Sequence, residues 1–187
     1  MNYTMSGFRN KRGNIYLIGP RASGKTTLAG ELAPRTGLNP VDTDELLQQE
    51  QGRSIQEIVT EHGWGHFREL EKKVLLSTAQ SGSLVVATGG GVVLASENRE
   101  LLKDPVHLTV YLQADPELIC ARLARDPRPG QRPALSQMDF QEEVRSTLNE
   151  RQSLYWECAD IILDANKPLV QLAEEVAGLY PVDEPGS

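Results

Sequence analysis

The sequence predicts an α/β domain in which a parallel sheet is covered by helices on both faces. Short apolar runs alternate with amphipathic stretches five times along the chain, the pattern of strand–helix units with fully buried strands. The 187 residues suit one such domain and can bury a core without disulfide or metal support. Between the first apolar run and the helix after it lies "GPRASGKTT" (19–27). It fits the glycine-rich pattern G-x-x-x-x-G-K-[ST], whose place is a strand-to-helix turn.

Residues 1–13 read as a polar tail, 14–179 as the folded domain and 180–187 as a second tail. "NIYLIG" (14–19) is apolar with β-branched and aromatic members, hence a buried strand. The next helix opens near Lys25, turns Leu28, Ala29, Leu32 and Ala33 inward, and stops between Pro34 and Gly37. "LNPVD" (38–42) is the second strand. "TDELLQQEQG" and "SIQEIVTEHG" are two short helices, the latter opened by Ser54 and Glu57 at capping-box spacing. "WGHFRELEKKVLLSTAQSG" repeats Phe67, Leu70, Val74, Leu75 and Thr78 at helical spacing. "SLVVATGGG" (83–91) is an apolar strand running into three glycines, and "VHLTVYLQ" (106–113) is another strand. "DPELICARLAR" (115–125) is a helix with Asp115 as N-cap and Pro116 at its first position. "DPRPGQRPALSQ" (126–137) is a loop long enough to serve as a lid. A helix at 139–159, a strand at 160–165 and a helix from about 168 to 179 complete the domain.

Composition narrows the partners. With 19 basic and 26 acidic residues the formal net charge is −7. Such a surface argues against nucleic acid or an anionic membrane as the main partner. No run reaches membrane-span length, and "MNYTMSGFRNKRG" lacks the apolar core of a secretory signal. Cys120 and Cys158 have no metal-type spacing and read as small buried hydrophobes. A cytoplasmic location is the expectation.

The chemistry-bearing residues gather at strand ends. Backbone N–H groups of Ala22, Ser23, Gly24, Lys25, Thr26 and Thr27 can face phosphate oxygens, helped by the helix dipole. Lys25 suits the β- and γ-phosphates of ATP, and Thr26 offers a hydroxyl to Mg²⁺. In "DTD", Asp42 and Asp44 close the second strand, where ligands of open α/β sheets bind. One can serve the metal and the other an acceptor hydroxyl. Alternatively, Asp42 caps the next helix and Asp44 is solvated in its first turn. Gly89, Gly90 and Gly91 let a ligand approach the backbone. Arg68, Arg122, Arg132 and Arg151 sit in elements able to reach such a site and suit a phosphate or a carboxylate.

Together "LIGPRASGKTT", "VDTDELL", "GHFRELE", "ATGGGVVL", "QRPAL" and "NERQSLY" resemble the shikimate kinases, in order and in spacing, over about residues 14–179. The glycine-rich loop alone is widely shared; the combination is far more specific. The resemblance implies a P-loop kinase fold like that of nucleoside monophosphate kinases, with a five-stranded parallel sheet ordered 2-3-1-4-5. It implies a substrate-binding region at about 43–80, a lid at about 126–137, and a monomer. The implied reaction carries the γ-phosphoryl group of ATP to the 3-hydroxyl of shikimate. By motif, Thr26 and Asp42 serve Mg²⁺, and Asp44 meets the shikimate hydroxyls. Arg68 and Arg151 grip the carboxylate, and Gly89, Gly90 and Gly91 offer backbone N–H groups. Lys25, Asp44 and Arg132 are the implied catalytic residues, with Arg132 closing over the phosphates and Arg122 packing on adenine. Arg128 and the N-terminal extension have no counterpart in the family pattern. A gluconate or nucleoside monophosphate kinase shares the loop and lid but does not need the "DTD" and "FR" pair. A nucleotide-binding regulator without turnover would tolerate loss of Lys25, Asp42 or the lid arginine, and all three are present.

Overall fold

The apolar run Ile15–Ile18 forms the central strand β1 of a five-stranded sheet. The computed structural model describes residues 13–125 and 140–180. Strands β2 (Asn39–Asp42), β3 (Leu84–Ala87), β4 (Leu108–Gln113) and β5 (Ile161–Asp164) complete the sheet in the order β2-β3-β1-β4-β5. Every pairing is parallel; Ile15 is registered with Val85 on one side and Leu108 on the other.

Two-residue alternation sorts the strand side chains to two faces. Ile15, Leu17, Val85, Ala87, Val110 and Leu112 pack with Leu28 and Leu32 of α1 (Lys25–Thr36) and Leu172 and Val176 of α7 (Leu169–Ala177). Tyr16, Ile18, Val86 and Tyr111 face the other way, onto Leu75 of α3 (Ile55–Ser81) and Tyr155 of α6 (Phe140–Cys158). A smaller cluster of Leu47, Ile55, Ile58, Phe67 and Leu70 joins α2 (Thr43–Gln51) to α3. It gives the region after β2 its own apolar support.

Element ends follow the sequence signals closely. Helix α1 passes Pro34 and stops at Thr36, where left-handed Gly37 (φ 70°) sends its N–H to the Ala33 carbonyl at 3.0 Å. The expected capping box at Ser54 and Glu57 is present. The two helices expected at 54–63 and 64–82 form α3, bent at Gly63 (φ 78°, ψ 169°). A 3₁₀ turn at Val92–Leu94 and the short helix α4 (Ser96–Leu102) have no counterpart in the sequence reading. Asp115 precedes α5 (Pro116–Ala124) with Pro116 at its start, but its side chain makes no cap bond. Instead it accepts from Asn166 Nδ2 at 3.4 Å, tying α5 to the turn after β5. Cys158 is buried and Cys120 only half-buried; neither is in a disulfide. The lid expectation at 126–137, with Arg128 and Arg132, lies outside the described residues. Among those described, no helix is long and apolar enough to cross a membrane.

Candidate active site

The loop between β1 and α1 is built for an anion. Its backbone takes positive φ at Gly19 (141°), Ala22 (59°) and Gly24 (106°). A methyl group on Gly19 would lie 2.6 Å from the Leu112 carbonyl oxygen, so β4 packs against bare backbone there. Gly24 stands at the N-cap of α1 and has no side chain to cap it. The first-turn N–H groups are therefore available to a ligand, at the positive end of the helix dipole. Lys25 is buried over the loop and donates to the carbonyls of Gly19 (2.9 Å) and Pro20 (2.7 Å). A cation at the centre of the loop raises its affinity for phosphate despite the acidic chain.

Thr26 and Asp42 meet as expected. Thr26 Oγ1 donates to Asp42 Oδ2 at 2.6 Å, while Asp42 Oδ1 accepts from the N–H groups of Asp44 (2.9 Å) and Glu45 (3.4 Å). Asp42 thus caps α2, as one reading of "DTD" expects, and also faces the loop; Asp44 is half-buried beside Gly89 and not solvated. The hydroxyl and carboxylate are hard oxygen donors of the type that holds Mg²⁺. Arg122 lies on the far wall. Its Nη1 donates to the carbonyls of Ala22 (3.1 Å) and Ser23 (2.7 Å), and its Nη2 to that of Ala165 (3.0 Å). It joins the loop to the turn after β5. Ala22 through Thr27, Arg122, Lys167 and Leu169 border a cavity of about 510 Å³.

On the other side of the loop a second cavity, about 260 Å³, is lined by Arg68, Glu71, Gly90, Gly91 and Arg151. The Arg68 guanidinium lies directly over Gly91, in the space a β-carbon would fill. It pairs with Glu71 Oε2 at 2.7 Å and sits 5.2 Å from the Phe67 ring centroid. Arg151 Nη1 donates to the Gly90 carbonyl at 3.4 Å. Asp44 and Gly89 do not line this cavity but adjoin it. A β-carbon on Gly89 would lie 3.0 Å from Asp44 Oδ1 and 2.8 Å from Glu71 Oε1. The strand-end glycines are therefore needed because carboxylates and a guanidinium crowd them. Trp64, Ile119, Leu123 and Phe140 give this cavity an apolar flank.

Two residues of this site escaped the sequence reading. Glu71 is buried on α3, and its Oε1 has no hydrogen-bond partner among the described residues. Burial pushes its carboxyl above the usual carboxylate range, against the pull of Arg68 and Arg151. The available signal was its i,i+3 spacing from Arg68. Tyr155, buried on α6, donates to the Gly90 carbonyl. It ends the quoted motif "NERQSLY" without having been given a role.

A glycine-rich phosphate loop after a central strand, with an aspartate at the end of β2, on a 2-3-1-4-5 sheet defines a P-loop phosphotransferase. The sequence profile of shikimate kinases matches residues 21–178. The shikimate kinase of Nitratidesulfovibrio vulgaris is 41% identical over 165 residues, covering 88% of this chain and 94% of the relative. Shikimate kinase 2 of Yersinia enterocolitica is 38% identical over 162 residues, covering 87% and 92%. The structure of the Acinetobacter baumannii shikimate kinase in complex with shikimate superposes with a TM-score of 0.82 at 33% identity, covering 94% of this chain and 96% of the other. The chain belongs to the shikimate kinase family and is an ATP-dependent kinase.

Proposed function

We propose that this chain transfers the γ-phosphoryl group of ATP to the 3-hydroxyl of shikimate, giving shikimate 3-phosphate and ADP. The observation that supports it is the cavity beside the loop, where Arg68 and Arg151 stand around Glu71 and the glycines, with Asp44 adjoining. Two guanidinium groups suit a carboxylate, and Asp44 suits a hydroxyl. The A. baumannii relative, described in complex with shikimate, supports the same acceptor.

In this reading ATP lies in the larger cavity, its phosphates on the N–H groups of residues 22–27 and on Lys25. Thr26 and Asp42 would hold Mg²⁺. When bound, the ion neutralises charge on the phosphate oxygens. Arg68 and Arg151 fix the carboxylate end of the acceptor, with backbone N–H groups of the glycine loop beside it. Asp44 accepts a hydrogen bond from the acceptor hydroxyl and aims its oxygen at the γ-phosphorus. The bond from the hydroxyl oxygen to phosphorus forms as the bond from phosphorus to the β,γ-bridging oxygen breaks, and the hydroxyl proton passes to the Asp44 carboxylate late in the transfer. A loose transition state asks for little deprotonation, so positioning carries most of the rate.

A coupled ADP-release assay with shikimate, gluconate and AMP as acceptors tests this. ADP is expected with shikimate. Turnover of gluconate or AMP with none of shikimate overturns the reading.

A further inference from the structure

We propose that Tyr155 is a positioning residue for the acceptor site, holding the Gly90 peptide and orienting Arg151 toward the acceptor carboxylate. The inference rests on the proposed function and extends it to a residue that does not line the cavity.

Arg151 and Tyr155 lie one turn apart on the same face of α6. Both approach a single atom. The Tyr155 hydroxyl donates to the Gly90 carbonyl oxygen, and Arg151 Nη1 reaches that oxygen at 3.4 Å. Tyr155 is the closer donor. Arg151 Nε is buried and has no hydrogen-bond partner among the described residues. The guanidinium also hydrogen-bonds the Tyr155 side chain, so one phenol orients both the Gly90 peptide and Arg151. Tyr155 itself is immobilised, 1% exposed and stacked on Tyr111 with centroids 5.0 Å apart and planes at 21°. Burial raises its phenol well above the usual value, so it donates throughout the neutral range.

Gly90 is the point where the two ligand sites touch. A β-carbon there would lie 3.2 Å from the Arg21 nitrogen and 3.6 Å from the Gly19 carbonyl oxygen. The glycine therefore rests on the first residues of the phosphate loop. No described peptide bond is cis, so the Gly91 N–H points opposite to the Gly90 carbonyl. Fixing the carbonyl fixes that donor, and Gly91 also carries the Arg68 guanidinium. Without the phenol, the Gly90 peptide can turn and Arg151 loses a contact that orients it.

The experiment compares Tyr155→Phe, Tyr111→Phe and the parent chain, each full length. Steady-state kinetics are measured with shikimate and with ATP, alongside nucleotide binding and thermal melts. Tyr111→Phe is the control, because its hydroxyl is buried in the same stack without a hydrogen-bond partner among the described residues. Tyr155→Phe is expected to raise KM for shikimate about tenfold, as loss of one buried bond to an otherwise weakly held group allows. Its KM for ATP and its nucleotide affinity stay at the parent's, and Tyr111→Phe leaves both KM values unchanged. An unchanged shikimate KM in Tyr155→Phe overturns the proposal. So does an equal rise in Tyr111→Phe, or aggregation of Tyr155→Phe alone, which would make the phenol a stability element. A parent chain that fails to phosphorylate shikimate refutes the proposed function instead, before any variant is compared.

Discussion

A carboxylate that is 3% exposed needs a partner to stay ionised, and Glu71 has Arg68 at 2.7 Å. The pair holds the guanidinium over Gly91. Glu71→Gln keeps the shape and removes the charge, so Arg68 loses its anchor. Shikimate KM is expected to rise at least about tenfold, the scale of one charge-assisted hydrogen bond, with KM for ATP unchanged in the same assay. The variant also separates a pH effect. Burial raises the folded-state pKa of Glu71 above its unfolded value. The folded chain then binds the extra proton, and stability is lost as pH rises from the unfolded value through the raised one. The melting temperature of Glu71→Gln relative to the parent should therefore climb as pH rises above about 4.5; a constant difference refutes it. The sequence made Thr26, Asp42, Arg68 and Arg151 legible because motif spacing marks them. Glu71 was not legible, since a glutamate on a charged helix reads as solvated. It is covered by Gly89, at the end of a distant strand, and by Arg68, an approach that no local pattern encodes.

The acceptor side chains ride on one kinked element. Gly63 in α3 adopts φ 78° and ψ 169°, a region that is essentially glycine's alone. It lets Trp64 and Phe67 turn inward after the capped first turns pack on α2. A β-carbon at Gly63 or Gly65 would meet nothing within 4 Å, so backbone conformation alone decides the two substitutions. Gly63→Ala is expected to cost about 1–3 kcal/mol, lowering Tm by roughly 2–12 °C for a chain of this size. Gly65→Ala, in regular helix, should be neutral or raise stability by about 1 kcal/mol. Equal melts for both variants would refute the hinge. The break between two helices was readable from "EHGWGH", because paired glycines interrupt the apolar repeat. Helix α4 was not, for it buries only Asn98 and Leu102. Side chains hold it instead: Asn98 Nδ2 donates to the Val92 carbonyl at 2.9 Å and Thr109 Oγ1 to that of Leu102 at 2.6 Å.

Across the whole molecule, a parallel sheet aligns all its strands and so separates its two ends. The alternation of elements gave the parallel sheet; the strand order came with the family resemblance, since nothing local tells β2 to pass beyond β3. Among the described residues, those proposed for catalysis stand at the carboxyl ends of the strands. The amino end holds a buried polar knot. Asn14, fully buried, donates from Nδ2 to the Thr78 carbonyl (2.7 Å) and the Tyr16 hydroxyl (3.2 Å), and its Oδ1 accepts from Leu84 N (3.0 Å). Its own N–H goes to His107 Nδ1 at 3.1 Å. One side chain thus ties β1 to the end of α3 and the start of β3. Asn14→Ala strips partners from groups that water cannot reach, at about 1–3 kcal/mol for each one left unpaired. The variant is expected to melt about 5 °C or more below the parent. The four-residue β1 separates Asn14 from Gly19 of the phosphate loop, about 16 Å at strand rise. Below its melt, the variant should therefore keep the parent's kcat and both KM values. A changed KM in folded Asn14→Ala would mean that the sheet transmits strain from its amino end to the site, and that the two ends are not independent.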